Sequence, residues 1–318
     1  MINKTITINE ETINIAYCTD ENYLEYVATS IKSIILNSSS KLSFYVFVYN
    51  VTDSEIFKLK STSKLIQVIE MDKLEVDKYH NNFTIKHLNR STYMRLAVPR
   101  LLSGKVDKFI YLDADTLCFS DLGDINKVDI NNVVCAASHD ALTKNDNKNA
   151  KRLGIESGHY FNAGFLYINV ANWVKSEVEI KANKILLDDG KTLPYLDQDA
   201  LNIVLNGHIK FIDNKWNFIY NWYTEKQKES FFYDKVTLPK IVHFTGGRKP
   251  WFVEHDGLAQ QLFIFYHHFT PWKNNPLRSY KEKMRPTDYR VYSRKNWRNK
   301  KYLTSVTWYL KYLRSRFK

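Results

Sequence analysis

The sequence predicts an α/β protein whose mostly parallel sheet is covered on both faces. Three observations carry that expectation. The first half alternates short apolar runs with stretches of helical spacing. The run at 109–112, Phe-Ile-Tyr-Leu, is apolar throughout, as an interior strand is. A chain of 318 residues with 44% hydrophobic content suffices for one large domain, or one domain with an appendage.

Taken in order, residues 13–18 read as the first strand. A helix comes next over 22–37, where Leu24, Val27, Ala28, Ile31, Ile34 and Ile35 recur near helical spacing. The serines at 38–40 make a turn. A second strand lies at 44–49, then Thr52 or Asp53 caps a short helix, and a third strand lies at 65–69. A helix over 90–102 is expected to end or kink near Val98, because Pro99 brings no amide hydrogen. The fourth strand runs into Asp113. Beyond it, strands are expected at 133–137, after the turn Asn162-Ala163-Gly164, at 209–212 and at 241–244. Helices are expected at 171–187 and 196–205. Ligands of such sheets collect at the carboxyl ends of strands. Asp20, just past the first strand, and Asp113 therefore approach each other if those two strands are neighbours.

The composition is not that of a disordered chain, no 20–50-residue repeat shows, and glycine and proline are scarce. The start shows no signal-peptide pattern, and no apolar run reaches the roughly eighteen residues of a membrane span. Cys18, Cys118 and Cys135 lie in apolar stretches without metal-ligand spacing, as reduced core thiols of a cytosolic protein do. The net charge of +12 is unevenly spread. Residues 273–318 hold 15 Lys and Arg against 2 Asp and Glu, while the remainder holds 31 against 32. The basicity belongs to the tail.

Three stretches carry candidate chemistry. In FIYLDADTLCF, 109–119, a strand ends in Asp113 and Asp115. Carboxylates two residues apart share a side of an extended chain, so they form an acidic clamp, or else two solvated loop residues. In HFTGGRKPW, 243–251, Gly246-Gly247 permits close backbone approach and Pro250-Trp251 stiffens the end of the stretch. Two carboxylates and the imidazole of His243 suit manganese, or magnesium less well, and Lys249 with glycine amides would neutralise phosphates. Alone, that stretch is equally a glycine turn with a half-buried histidine and a solvated lysine. In LPYLDQDALN, 193–202, Asp197 and Asp199 flank Gln198 at a helix start, where they hold sugar hydroxyls or act as N-caps.

AYCTDENY, STYMRL, YLDADTL, FNAGFLYIN, DQDALN and HFTGGRKPW occur in this order, and together they resemble the retaining glycosyltransferases of family 8. Within it the chain looks most like the bacterial lipopolysaccharide core α-glucosyl- and galactosyltransferases, over roughly residues 12–275. HHFTPWKNNPL, 267–277, is similar to the short domain that succeeds the catalytic domain in those enzymes. The resemblance implies an A-type glycosyltransferase fold, one Rossmann-like nucleotide-sugar domain over 1–270, plus a basic helical region over 271–318. It implies that Asp113, Asp115 and His243 bind Mn2+ (or Mg2+) bridging the diphosphate of UDP-glucose or UDP-galactose. Cys18, Asp20, Asn22 and the Ala114 backbone would surround uridine. Arg95, Asp140, Asn162, Asp197 and Gln198 would surround the hexose, with Asp140, Asp197 and Gln198 nearest the chemistry. Gly246 and Lys249 would hold the diphosphate.

The tail 302–318 places Leu303, Val306, Tyr309 or Leu310, Leu313 and Phe317 on one helical face, and Lys311, Arg314 and Lys318 on another. It reads as an amphipathic helix on an anionic membrane, or as a helix packed on the catalytic domain. A nucleic-acid partner is not expected, since the body offers no such motif. The expected enzyme is thus a metal-dependent hexosyltransferase acting on a lipopolysaccharide or lipooligosaccharide core, peripheral on the cytoplasmic face of the inner membrane. The alternatives are the same chemistry on a capsule repeat or a protein, or an inactive membrane-associated UDP-sugar-binding module. Replacing Asp113 or Asp115 by asparagine is expected to abolish turnover with little change in melting temperature.

Overall fold

The computed structural model describes residues 11–77, 90–140, 148–156, 158–188, 193–255 and 257–316. The strands are β1 (Ile13–Asp20), β2 (Leu42–Tyr49), β3 (Ile66–Glu70), β4 (Lys108–Leu112), β5 (Thr116–Cys118), β6 (Cys135–Ala137), β7 (Phe165–Asn169), β8 (Ile209–Phe211), β9 (Phe218–Ile219) and β10 (Ile241–His243). Seven of them form one sheet in the order β3-β2-β1-β4-β7-β6-β8. Pairing is parallel except at β7, which runs against both β4 and β6. β1 and β4 are neighbours with Ala16 opposite Tyr111, so extending the register brings Cys18 level with Asp113.

The sheet is buried on both faces because successive side chains alternate between two cores. Ile15, Tyr17, Phe44, Val46, Ile110 and Leu112 join one core, under Leu24, Val27, Ile31 and Ile34 of the helix Leu24–Asn37. Ala16, Cys18, Tyr45, Phe47, Phe109 and Tyr111 join the other, with Val98, Leu102, Trp173 and Ala182 from helices on that side. The second sheet, β5-β10-β9, closes a third core with Leu117, Val242, Phe263 and Tyr266. There Trp251 stacks on Tyr26 at 3.7 Å between centroids.

Two expected helices are corrected. Pro99 does not end the 90–102 helix but begins its last part. Residues Arg90–Leu96 are a 3-10 run and Val98–Leu102 a separate helix with Pro99 in its first turn, where no amide hydrogen is needed. The 171–187 helix is two, Val170–Lys175 and Val178–Asp188, divided at Glu177 in the left-handed region (φ 55°).

Past the third core, Trp272 is buried, and its indole donates to Glu55 Oε2 at 3.1 Å. Arg278 pairs by backbone with Trp251 and Val253. The helices Pro286–Arg298 and Tyr302–Arg316 then form a hairpin. Trp308 packs on Tyr289 and Tyr292, and Ser293 Oγ donates to Ser305 O at 2.9 Å. Arg248 Nε holds the hairpin to the body through Asp288 Oδ1 at 2.7 Å. The packed face of the last helix is thus Ser305 and Trp308, while Leu303, Val306 and Leu310 are 87%, 50% and 48% exposed. Phe317 and Lys318 lie outside the described residues. Among the described residues no helix is long and apolar enough to cross a membrane.

Candidate active site

At the carboxyl edge of the sheet, β4 ends at Leu112 and the chain turns. Asp113 N–H donates to Gly164 O at 3.0 Å, and Thr116 Oγ1 closes the turn onto Asp113 O at 2.9 Å. The chain continues into β5, which pairs antiparallel with β10 so that Thr116 faces His243. Phe244 N–H then donates to Asp115 O at 2.9 Å. Backbone pairing alone therefore delivers the histidine to the acidic turn. His243 Nε2 stands 3.1 Å from Asp115 Oδ1 and 3.8 Å from Asp113 Oδ2. One ligand atom from each of the three lies within 4.8 Å of the others. Two carboxylates and an imidazole so placed fit a hard divalent cation of the manganese or magnesium kind, which leaves positions for further oxygens.

That approach demands the glycine before β7. A Cβ on Gly164 would come within 2.1 Å of His243 Cε1 and 2.9 Å of Asp113 Oδ2. Gly246 is needed for a different reason, its φ of 79° in the turn after β10.

Two buried cations balance the acids. Arg95 Nη2 lies 3.1 Å from Asp113 Oδ1, and its Nε lies 2.7 Å from Asp197 Oδ2. Arg95 Nη1 donates to Ala163 O at 2.7 Å, and the guanidinium stacks on Tyr111. Burial would lower the pKa of Arg95, but the two carboxylates more than reverse that. Lys249 Nζ bonds Asp115 Oδ2 and donates to Phe244 O at 2.8 Å. Burial opposes charge on Asp115 too, yet Lys249 and His243 outweigh it and hold the carboxyl far below the usual range. Burial pushes Asp197 up to about 7 against the pull of Arg95, and Asp140 up to about 6 against hydrogen bonds from Asn162 and Gln198.

These groups open on a cavity of about 490 Å3. Its wall brings together ten of the residues singled out in the sequence: Arg95, Asp113, Asp115, Asp140, Asn162, Asp197, Gln198, His243, Gly246 and Lys249. Cys18, Asp20, Asn22 and Ala114 are not on that wall. Cys18 is buried beneath it, where the charges of Arg95, Asp113 and Asp197 act on its thiol. Asp20 is the last residue of β1 and Asn22 lies in the 3-10 turn Glu21–Tyr23, where the Tyr23 phenol feels both Asp115 and Asp20. Ala114 packs half-buried between two cores. Asp197 and Asp199 are not simple caps. Asp197 pairs with Arg95, and Asp199 takes hydrogens from Arg152 and from Tyr160 at 2.6 Å as well as from Tyr195 N–H.

Sequence reading missed Tyr160, Trp222 and Thr245, the last two on the cavity wall, and Asn217, whose Oδ1 is 3.0 Å from His243 Nδ1. Asn217 sits in an unremarkable NKWNF stretch, and only the position of β9 beside β10 gives it meaning.

Known proteins share this framework. The family described as Glycosyl transferase family 8 matches residues 14–254. A lipopolysaccharide 1,2-glucosyltransferase of Escherichia coli strain K12 is 30% identical over 281 residues, 85% of this chain and 82% of that protein. A lipopolysaccharide 1,3-galactosyltransferase of Salmonella typhimurium strain LT2 is 30% identical over 320 residues, 95% of this chain and 90% of that protein. Among solved structures, the galactosyltransferase LgtC in complex with donor and acceptor sugar analogs superposes with a TM-score of 0.71. It is 20% identical and covers 86% of this chain and 100% of its own, which establishes the shared fold.

The packing sets two expected outcomes. Gly164→Ala must push His243 away from Asp113, so it should lose most Mn2+-dependent UDP binding, measured by calorimetry, while the far-ultraviolet circular dichroism is kept. Asp115→Asn should lower the melting temperature, contrary to the expectation from sequence. It leaves the Lys249 ammonium buried without its counter-charge, at a cost of about 3 kcal/mol, readable in a denaturant melt. An unchanged melt would show that the Lys249–Asp115 contact adds nothing to stability.

Proposed function

The chain belongs to glycosyl transferase family 8 and is a hexosyltransferase, and from that premise we propose that it transfers glucose or galactose from a UDP-sugar to a lipopolysaccharide or lipooligosaccharide core. The single observation that carries the donor half is the Asp113–Asp115–His243 cluster at the mouth of a carboxylate-lined cavity. A divalent cation held by those three residues would neutralise the diphosphate as it leaves. The acceptor half is supported by lipopolysaccharide transferases at 30% identity over most of both chains.

The chain's own groups account for the rest. Lys249 spends two N–H groups on Asp115 and Phe244 O, which leaves the third for a diphosphate oxygen. Gly246 lets the backbone approach the same phosphates. Stabilising charge that grows only as the sugar–phosphate bond breaks is what raises the rate. The anomeric carbon turns positive at that moment, and Asp140 and Asp197 favour it. Uridine is assigned to the end of β1, at Cys18, Asp20, Asn22 and the Ala114 backbone.

Retention through a covalent intermediate would need a free nucleophile in the hexose pocket. Asp197 is tied to Arg95 at 2.7 Å. The Gln198 oxygen accepts Ala163 N–H at 3.1 Å, and its nitrogen lies 3.3 Å from Asp140 Oδ2. Both are held as positioning groups. This favours attack by the acceptor on the face the UDP leaves, with its proton passing to a UDP phosphate oxygen.

The basic region 271–318 is assigned to acceptor and membrane association on the cytoplasmic face of the inner membrane. Support comes from the outward stripe Leu303, Val306 and Leu310 beside Lys311 and Arg314, since a helix meant to pack on the body would turn that stripe inward.

The donor reading is tested by UDP release from a panel of UDP-sugars, with Mn2+ and with chelator. Metal-dependent hydrolysis of UDP-glucose or UDP-galactose is expected. No release, together with no Mn2+-dependent binding of UDP, would favour an inactive binding module. For the tail, Leu303→Glu with Leu310→Glu should leave donor hydrolysis intact and reduce sedimentation with phosphatidylglycerol vesicles several-fold. Equal sedimentation would remove the membrane assignment.

A further inference from the structure

Two successive backbone amides fix the polarity of the side chains beneath the acidic clamp. An amide N–H only donates, so each one orients the group it meets. Gly164 N–H donates to Asn162 Oδ1 at 3.0 Å. The same oxygen accepts Asn217 Nδ2 at 2.9 Å. Asn217 must therefore turn its own oxygen the other way, where it lies 3.0 Å from His243 Nδ1. An amide oxygen only accepts, so Nδ1 carries the hydrogen. With the hydrogen fixed on Nδ1, Nε2, which faces Asp113 and lies 3.1 Å from Asp115 Oδ1, is the nitrogen that can take a cation between them.

The second amide orients the other branch. Ala163 N–H donates to Gln198 Oε1 at 3.1 Å, which turns Gln198 Nε2 toward Asp140 Oδ2 at 3.3 Å. Asn162 Nδ2 reaches Asp140 Oδ1 at 3.4 Å from the opposite side. Asp140 thus receives an amide group on each oxygen. Asn217 is 1% exposed and His243 3%, so water does not compete for these bonds.

We propose that Asn217 is a positioning residue for the metal site: it holds His243 in the Nδ1–H form so that Nε2 takes a divalent cation, and through Asn162 it ties that clamp to the hexose pocket at Asp140. The inference rests on reading Asp113, Asp115 and His243 as the metal ligands. It gives a physical role to a buried residue that is not on the cavity wall. Removing the hydrogen-bond partner of a metal-bound histidine typically weakens metal binding about 10–100-fold.

The test uses the full chain with Asn217→Leu, which removes the acceptor at similar volume, and Asn217→Asp, which keeps an acceptor for His243 but gives up the N–H donated to Asn162. Long-range 1H–15N spectra without metal, at a pH where the imidazole is neutral, read which nitrogen carries the hydrogen. Electron paramagnetic resonance of free Mn2+ in the presence of UDP reads affinity. The expected result is Nδ1–H in the unsubstituted protein, Mn2+ affinity lowered about 10–100-fold in Asn217→Leu, and affinity near the starting value in Asn217→Asp. An Nδ1 that carries no hydrogen in the unsubstituted protein overturns the proposal without any variant having to fold. So does unchanged Mn2+ affinity in Asn217→Leu. If the unsubstituted protein binds no Mn2+ at all, the metal reading fails and the proposal goes with it. That failure is separable, because the tautomer is read without metal.

Discussion

The guanidinium of Arg95 is the contact on which the rest of the site depends. It is 7% exposed and meets Asp113 at the end of β4, Asp197 on the helix Leu196–Val204, Ala163 before β7, and the ring of Tyr111. Burying such a cation costs several kcal/mol unless its partners are well placed. The arrangement is self-consistent because the partners are themselves buried acids that would repel one another without it. Around the cavity four carboxylates, Asp113, Asp115, Asp140 and Asp197, face two fixed cations, Arg95 and Lys249. Acidic groups outnumber the fixed cations there, which is a balance that suits a bound cation.

The second dependence is between sheets. The large sheet supplies Asp113 and the floor of the cavity. The small one supplies His243, and it is joined to the acidic turn by the antiparallel pairing of β5 with β10. Two chain segments far apart in sequence are thereby placed by backbone hydrogen bonds, so the side chains are free to serve chemistry.

Much of this was legible in the sequence, for identifiable reasons. Strand ends could be read because β1, β2 and β4 are buried on both faces and carry continuous apolar runs in their middles. Taking β1 and β4 as neighbours brought Asp20 toward Asp113 in the sequence reading, but the register that sets Cys18 level with Asp113 is seen only in the fold. Ten residues named from sequence share one cavity wall: Asp113, Asp115, His243 and Lys249 stood out by their own chemistry, while Arg95 and Asp140 were named only through the family resemblance. The hidden part depends on contacts between distant segments. Nothing around Asn217 announces that its oxygen meets His243. The left-handed Glu177 that divides a helix has no glycine or proline to mark it. Pro99 was visible, but whether it ends one helix or starts another depends on where the preceding carbonyls find donors. The burial of the Lys249–Asp115 pair was hidden, because a lysine in a glycine turn reads equally well as solvated.

The reversed direction of β7 has a consequence for how this architecture can vary. A strand's two ends serve opposite rims of a sheet, and five residues separate those rims by about 17 Å. Because β7 runs backwards, the segment that precedes it, Asn162-Ala163-Gly164, arrives at the same rim that the other strands reach with their trailing ends. Were β7 parallel to β4, those three residues would stand at the opposite rim and the segment after Asn169 would line the cavity instead. One strand's polarity therefore decides which stretch of chain evolution can tune for the sugar. Insertions directly before β7 reach the pocket, while insertions directly after Asn169 fall at the opposite rim of the sheet.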